Sequence, residues 1–254
     1  MNTNQKKTKI AIFLTILVFT YSSPVASQAS DEFVTHLERG VELMKQGALN
    51  DAITEFRAAI RIRPNEAIAH NNLGSALLSK GQIPEAIGEF QMAIRLKPED
   101  ANAHNNLGGA LIVQGNTSDG ISEIETAIRL QPNLAEAHYQ LAVGLKTKGD
   151  RDGALAEYRR AIHFDPNHLG AHYNLGNELA ASGNIDAAIE EYRAVVRIDP
   201  KEYKARYSLA YYLDKRGMED EAVKEYQEFL RTVPNTPEAK GRIEFARKRV
   251  YGPQ

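Results

Sequence analysis

The chain has 254 residues, of which 43% are hydrophobic and 25% are charged, a balance that excludes bulk disorder and suits one sizeable domain or a short array. Its formal net charge of −2 gives no basic surplus, which argues against nucleic acid as a partner. It contains no cysteine, so disulfides and thiolate metal sites are excluded.

The N-terminus has the pattern of an export signal. Lys6, Lys7 and Lys9 precede an apolar run of about twelve residues at 10–21, and mostly small residues follow as far as Ala29. We therefore predict a secretory signal peptide at residues 1–29, cleaved near Ala29. The run is shorter than the roughly twenty residues of a spanning helix, although an uncleaved inner-membrane anchor is the alternative. Cleavage removes three lysines and changes the formal charge from −2 to −5.

A period of 34 residues runs through the rest of the chain. The step relates six prolines: Pro64, Pro98, Pro132, Pro166, Pro200 and Pro234. It also relates six glycines: Gly47, Gly81, Gly115, Gly149, Gly183 and Gly217. A small residue followed four positions later by a large one recurs at the same step: Ala52 and Phe56, Ala86 and Phe90, Gly120 and Ile124, Ala154 and Tyr158, Ala188 and Tyr192, Ala222 and Tyr226. These registers indicate tandem repeats.

Each unit is predicted to fold as two short amphipathic helices. In the second unit the apolar residues of both segments recur at helical spacing: Ala69, Leu73, Ala76 and Leu77, then Ile83, Ala86, Ile87, Phe90, Ala93 and Ile94. Gly81 supplies the turn between the helices, and Pro98 ends the second one. Helices of about 12 to 14 residues are marginal alone in water, so neighbouring units must cover one another in a solenoid.

The period and pattern resemble the tetratricopeptide repeat. In the second unit the resemblance rests on Leu73, Gly74, Leu77, Ala86, Phe90, Ala93 and Pro98. It implies an all-α fold, a right-handed superhelical solenoid of helix-turn-helix repeats with a C-terminal capping helix. The predicted units are 33–66, 67–100, 101–134, 135–168, 169–202 and 203–236. Gly120 and Ile124 depart from the pattern, and we expect the third unit to pack most loosely.

The last segment, 237–254, is predicted to be a capping helix and tail. Ile243, Ala246 and Val250 would face the last repeat. The segment is also basic, and an alternative role for its cations is a docking patch for an acidic partner: Lys240, Arg242, Arg247, Lys248 and Arg249.

The resemblance implies that the first helices of the units line a concave groove. The residues predicted to line it are Asn71, Asn72, Asn105, Asn106, Tyr139, Gln140, Tyr173, Asn174, Asn177, Tyr207 and Tyr211. Amides can bond an extended peptide backbone without reading its sequence, and tyrosines add contact area and a hydroxyl. The pattern therefore suits a peptide-binding groove. The alternative is that the tyrosines only pack between successive helices and the asparagines are only solvated.

The histidines are interpreted as structural. His36, His70, His104, His138 and His172 lie one period apart, so each occupies the same position of a different unit. Equivalent residues of stacked helices are separated by roughly 10 Å, too far for shared metal ligation at about 2 Å. No phosphate-binding loop or nucleophile elbow is found. We expect no cofactor, no metal site and no enzymatic activity.

These patterns predict a non-catalytic adaptor of the bacterial cell envelope, periplasmic or secreted, that binds a protein or extended peptide. We expect no nucleic acid partner and no membrane insertion after signal cleavage. The alternative is an accessory or regulatory subunit of an envelope enzyme or secretion complex that docks through its convex or capping surface. Repeats behind an export signal also resemble envelope assembly factors such as pilotins for type IV pili, which carry lipid on a cysteine that this chain lacks. Oligomeric state is left open.

Overall fold

A computed structural model of the chain describes the backbone of residues 24–252 and the side chains from residue 31 onward. This part is entirely helical, with twelve helices in six consecutive pairs before a 3₁₀ turn and a last helix. The pairs are α1 Pro24–Lys45 and α2 Leu49–Ile62, α3 Ala67–Ser79 and α4 Ile83–Leu96, α5 Ala101–Gln114 and α6 Thr117–Leu130, α7 Ala135–Thr147 and α8 Arg151–Phe164, α9 Leu169–Ala181 and α10 Ile185–Ile198, α11 Tyr203–Lys215 and α12 Glu219–Thr232. The 3₁₀ turn is Pro237–Ala239 and α13 is Lys240–Tyr251. The predicted all-α solenoid is confirmed.

The signal peptide prediction falls largely outside this range. Residues 1–23 are not among the described residues, and the described chain begins with α1 at Pro24. Within residues 24–252, every helix is too short or too polar to cross a lipid bilayer.

The turn inside each pair is made by the repeated glycine. The six turn glycines have φ angles between 74° and 100°, and that of Gly81 is 82°. The Gly81 N–H donates to the carbonyl oxygen of Leu78 at 2.9 Å, and the Gln82 N–H donates to that of Leu77 at 2.9 Å. A residue with a Cβ is strained at such an angle, so glycine is what allows α3 to end and α4 to begin within a few residues.

The repeated proline separates one pair from the next. Lys97, the residue before Pro98, leaves the helix with φ −142° and ψ 85°. The Asp100 carboxylate then accepts a hydrogen bond from the backbone N–H of Asn102 at 3.1 Å and so caps α5. Proline disfavours helical geometry at the residue before it, and the capping carboxylate satisfies an N–H group that has no partner inside the helix.

The core lies within each helix pair and between successive pairs. One large side chain from the second helix of each pair is at most 1% exposed: Phe56, Phe90, Ile124, Tyr158, Tyr192 and Tyr226. A Cβ added at Gly74 of α3 would lie 2.6 Å from Cε1 of Phe90, so the ring occupies the space that a side chain would take. Single helices of this length are only marginally stable in water, so the array is stabilised by this close packing between helices.

The third pair packs more tightly than the sequence suggests. Gly108 of α5 and Gly120 of α6 lie opposite each other, and a Cβ added at Gly108 would lie 2.6 Å from the Gly120 carbonyl oxygen. Two backbones approach this closely only where neither residue has a side chain. Ile124 is fully buried although it is smaller than the aromatic residues at its position elsewhere. The expectation of loose packing is wrong, because the facing glycines bring the helices together.

The last helix covers the end of the array as predicted. Ala246 is fully buried, and Ile243 and Val250 are partly buried against the aromatic core of the last three pairs. An ion pair between Arg249 and Asp214 joins α13 to α11. The capping helix therefore closes the apolar surface that the last pair leaves uncovered.

Two buried tyrosines allow a matched test of how a buried hydroxyl affects stability. The Tyr192 hydroxyl donates to Asn177 Oδ1 at 2.8 Å, whereas the Tyr226 hydroxyl is buried without a partner among the described residues. We expect Tyr192→Phe to lower the free energy of unfolding by about 1 kcal/mol, and Tyr226→Phe to leave it unchanged or raise it slightly. Urea unfolding followed by circular dichroism measures both. A greater loss for Tyr226→Phe than for Tyr192→Phe would contradict this assignment.

Candidate protein-binding face

One side of the first helices is not covered by the core, and we call it the first-helix face. It runs across α1, α3, α5, α7, α9 and α11. All eleven predicted groove residues lie on these helices: Asn71 and Asn72 on α3, Asn105 and Asn106 on α5, Tyr139 and Gln140 on α7, Tyr173, Asn174 and Asn177 on α9, Tyr207 and Tyr211 on α11. Their contacts within the protein determine which of them are free to meet a partner.

The N-terminal half of the face holds two adjoining cavities. A cavity of about 410 Å³ lies between α1 and α3, and a second of about 560 Å³ lies between α3 and α5. Asn72 lines both of them, and its amide makes no hydrogen bond within residues 31–252. The amide therefore keeps both its donors and its acceptor for a ligand that passes from one cavity to the next.

The first cavity carries exposed apolar side chains beside its polar ones, a feature that sequence reasoning missed. Val34, Val41 and Ile68 are 45%, 38% and 54% exposed, and all three line the cavity between α1 and α3. Val34 and Ile68 are one period apart, so they occupy the same position of successive units. The 34-residue step that relates the asparagines also relates these two residues, and it could have revealed the apolar end of the face.

The asparagines of α3 and α5 differ in whether their side-chain amides are already hydrogen-bonded or buried. Asn106 Nδ2 donates to Asn71 Oδ1 at 3.0 Å, so these two amides link successive first helices. Asn105 is only 3% exposed, which puts its side chain beneath the surface of the face. Its Nδ2 donates to Asn106 Oδ1 at 3.4 Å, and its own Oδ1 has no partner among the described residues. Asn72 is thus the asparagine of this half that is most available to a partner.

In the middle of the face, tyrosine and amide side chains bond to each other. The Tyr139 ring packs on Tyr158 and on His168, with centroid distances of 6.0 Å and 4.8 Å. Its hydroxyl accepts a hydrogen bond from Asn174 Nδ2 at 3.2 Å. Gln140 donates to Glu136 at 2.9 Å. Burial raises the pKa of Tyr139, and the nearby Glu136 carboxylate adds to the effect, so the phenol stays protonated.

The predicted groove residues of α9 differ in how far they take part in the core. Asn177 Oδ1 accepts the hydrogen bond of the buried Tyr192 hydroxyl, so this amide supports the core. Tyr173 packs on the same ring, with a centroid distance of 6.0 Å, and remains partly exposed. One part of the Tyr173 ring therefore packs on the core, and the rest faces outward.

The C-terminal end of the face is aromatic and basic. Tyr207 lies 6.4 Å from Tyr211 and 6.4 Å from Phe245 of α13, measured between ring centroids. The Arg242 guanidinium lies 5.6 Å from the centre of the Tyr207 ring, and the Lys215 ammonium lies 4.9 Å from that of Tyr211. Burial raises the pKa of Tyr207, although the charge of Arg242 opposes the change. Both cations at this end of the face therefore lie on the faces of tyrosine rings.

The repeated histidines are structural, as interpreted from the sequence. Nδ1 of His70 lies 2.7 Å from Glu89 Oε2 on the other helix of its pair, and Nε2 lies 2.8 Å from the Pro64 carbonyl oxygen. The same pattern of glutamate and proline carbonyl recurs at His104, His138 and His172, and His36 pairs with Glu55. Each ring thus joins the two helices of its own pair and, where the carbonyl contact is made, the end of the preceding pair.

The glutamate partners were missed in the sequence, although the signal was present. Every one follows its histidine by 19 residues: Glu55, Glu89, Glu123, Glu157 and Glu191. In the last pair Arg206 replaces histidine, donating to Glu225 at 2.6 Å and to the Pro200 carbonyl oxygen at 2.9 Å. The replacement keeps both contacts, which supports a structural role for the position.

His172 makes stability depend on pH. Its hydrogen bond to Glu191 raises the pKa of His172, while burial opposes the change. The stabilisation is fully present below the unfolded-state pKa of about 6.5 and is lost as the pH rises through the higher folded-state pKa. We expect Glu191→Gln to destabilise the protein more at about pH 6 than at about pH 9. Urea unfolding at both pH values measures this, and equal losses would contradict it.

Comparison with known proteins agrees with this architecture. The sequence model of the tetratricopeptide repeat matches residues 37–101, 73–135, 105–168 and 173–237. No curated protein sequence matches the chain significantly.

Among similar solved structures, Pseudomonas aeruginosa PilF is 16% identical, with 86% of this chain and 99% of that chain covered and a TM-score of 0.70. PilW, described as a widely conserved type IV pilus biogenesis factor, is 15% identical, with 83% and 98% covered and a TM-score of 0.69. YrrB, described as a protein with an unusual peptide-binding site, is 22% identical, with 74% and 97% covered and a TM-score of 0.52. At these identities the likeness concerns the fold alone.

The spans matched by the family model together cover most of the chain, and they coincide with the helix pairs from α1 to α12. The chain belongs to the tetratricopeptide repeat family.

Proposed function

We propose that this protein is a non-catalytic adaptor of the bacterial cell envelope whose six repeats bind an extended segment of another protein along the first-helix face. The observation that carries the proposal is the amide of Asn72, which makes no hydrogen bond with the described side chains or backbone and lies between two adjoining cavities on three successive first helices. An extended chain presents a backbone N–H and C=O at every residue, and a free amide can bond both groups.

The chemistry of the face also suits a protein segment. Val34, Val41 and Ile68 offer an apolar cavity for one side chain at the N-terminal end. Tyr173 and Tyr211 offer partly exposed rings toward the C-terminal end. Alternating apolar and hydrogen-bonding contacts are what an extended peptide requires, because its side chains and backbone groups are presented in turn. Of the predicted groove residues, we assign Asn105 and Asn177 a supporting role.

Location in the envelope rests on the N-terminal pattern. We propose that residues 1–29 direct export and are cleaved near Ala29, leaving a periplasmic or secreted protein. The fold likeness to PilW, described as a type IV pilus biogenesis factor, agrees with a role in the envelope. N-terminal sequencing of the exported protein tests the cleavage. An intact N-terminus in the membrane fraction would support the inner-membrane anchor instead.

A paired substitution tests binding along the face. We expect Tyr173→Ala combined with Asn174→Ala to abolish co-purification of the partner from cells that express a tagged protein. The control is Glu190→Ala combined with Arg193→Ala, which removes two ion pairs of Arg193 away from the first helices, one of 2.8 Å with Glu190 and one of 2.7 Å with Glu221 of α12. Thermal unfolding of both variants confirms that they are folded. Capture retained by the first variant would contradict the proposal.

A second candidate function has its own structural feature. A cavity of about 760 Å³ lies beside the capping helix, between α12 and α13, and its lining includes Leu230, Val233, Lys240, Arg247 and Tyr251. An accessory subunit that docks through its capping surface would use this cavity. In that case Arg247→Glu would abolish capture of the partner, whereas the paired substitution of Tyr173 and Asn174 would leave it unchanged.

A further inference from the structure

We propose that the C-terminal end of the first-helix face binds an acidic peptide segment that carries a nonpolar side chain beside its carboxylates. The inference rests on the proposed function and specifies the chemistry of the bound segment. We call the residues that carry it the aromatic-basic cluster: Tyr207, Tyr211, Lys215, Arg242 and Phe245.

The two cations of the aromatic-basic cluster lie on neighbouring tyrosine rings. Arg242 of α13 and Lys215 of α11 are on different helices, yet both are positioned on tyrosine rings of the first-helix face. The Tyr211 ring lies 6.2 Å from Phe245, so the rings from the two helices are contiguous. A segment lying on these rings therefore meets both cations.

The two cations of the aromatic-basic cluster have no carboxylate partner in the described part of the chain. Within residues 31–252, neither Lys215 nor Arg242 forms an ion pair. At the other end of the face, Lys45 pairs with Glu42 at 3.7 Å, and Lys97 pairs with Asp100 at 4.0 Å. The charges of Lys215 and Arg242 are thus not neutralised within the described residues, and a carboxylate from a partner would be attracted to them.

The apolar surface beside these charges is the ring of Phe245. Phe245 is 39% exposed although it contacts three tyrosines, so one part of its ring is available. The Lys215 ammonium lies 4.9 Å from the centre of the Tyr211 ring, which itself packs on Phe245. A ring surface and a charge-assisted donor side by side fit a nonpolar side chain next to a carboxylate.

The geometry favours a peptide over an anionic membrane. Arg242, Phe245 and Arg249 lie on the side of α13 that packs against α11, and the Arg249 charge is already paired with Asp214. A lipid surface requires charges on an open, outward side, where several headgroups are reached together. Here the two cations of the aromatic-basic cluster are directed to the rings of the first-helix face.

Peptide display tests the inference while the natural partner is still unidentified. Random peptides displayed on phage are selected on the protein, on K215E/R242E and on the control R57E/R61E. The control changes the charge equally, and both its residues are exposed on α2, outside the first helices. We expect the wild type and the control to enrich peptides containing Asp or Glu beside an aromatic or aliphatic residue.

Titration of one selected synthetic peptide then measures the effect. We expect K215E/R242E to weaken its binding about tenfold or more, and the peptide with Asn and Gln in place of Asp and Glu to bind the wild type about tenfold more weakly. Binding should also weaken as salt increases.

The outcomes separate this inference from the proposed function. Selected peptides that lack acidic residues, bind K215E/R242E unchanged and lose binding to Y173A/N174A would overturn the inference and leave the proposed function intact. Peptides indifferent to both pairs of substitutions, or no selected peptide at all, would overturn both. Sedimentation with phosphatidylglycerol vesicles that depends on Lys215 and Arg242, with no acidic peptide selected, would overturn the inference in favour of a lipid surface.

Discussion

Replacing Phe90 with alanine is expected to lower the free energy of unfolding by about 3–5 kcal/mol. The ring is completely buried and fills the space opposite Gly74, so its removal leaves a cavity between α3 and α4 that a closely packed interior closes only in part. Neighbouring helix pairs bury apolar surface against this pair, so its destabilisation should also destabilise them. Urea unfolding followed by circular dichroism measures the effect.

Phe90→Ile is the matched control, because the third pair naturally has Ile124 at this position. We expect a smaller loss, about 1–2 kcal/mol, but not a neutral result. In the third pair the smaller side chain is accompanied by facing glycines, Gly108 and Gly120, which bring the helices together. The second pair has Ala86 where the third has Gly120, so it cannot close in the same way. A Phe90→Ala loss below about 1 kcal/mol would contradict the account of the core.

Replacing Glu157 with alanine is expected to have the second largest effect on stability, about 3 kcal/mol. Glu157 and His138 are 8% and 4% exposed, and their side chains are 2.7 Å apart. Removal of the carboxylate leaves a buried imidazole nitrogen without a partner, and Arg160 also loses its contact of 2.6 Å. Unfolding in urea measures the loss.

Glu123→Ala provides the comparison. Its carboxylate bonds His104 at 2.6 Å in the same way, but its side chain is 33% exposed, whereas that of Glu157 is 10% exposed. Water can replace the lost contact at the exposed position, so we expect a loss of only about 1 kcal/mol. Equal losses in the two variants would mean that burial does not govern the strength of these pairs.

Much of the fold could be predicted from the sequence because the repeat controls it locally. Gly81 adopts the positive φ that the turn requires, and Pro98 lies just beyond the end of α4, as predicted. The capping role of Ala246 also follows from sequence, because a helix that covers an array must bury one side. The tight third pair could not be predicted from one position at a time. It results from two glycines on different helices that meet only in the folded protein.

The candidate site was less predictable, because the period gives the position of a residue and not its partners. Asn72 and Asn106 are equivalent by the 34-residue step, yet Asn72 is free while Asn106 bonds to Asn71. Asn105 is buried although its equivalent, Tyr139, is partly exposed. The partner of such an amide lies on the preceding first helix, as Asn71 does for Asn106, and a single repeat does not contain it.

The binding of a partner along the first-helix face is the central claim, and photocrosslinking in the native cell tests it most directly. A photoreactive residue is placed at Asn72 or at Tyr173, with a control at the exposed Glu190 of α10, and trapped species are identified by mass spectrometry. We expect Asn72 and Tyr173 to capture the same protein and Glu190 to capture none. Capture from Glu190 alone, or from none of the three positions, would contradict the claim.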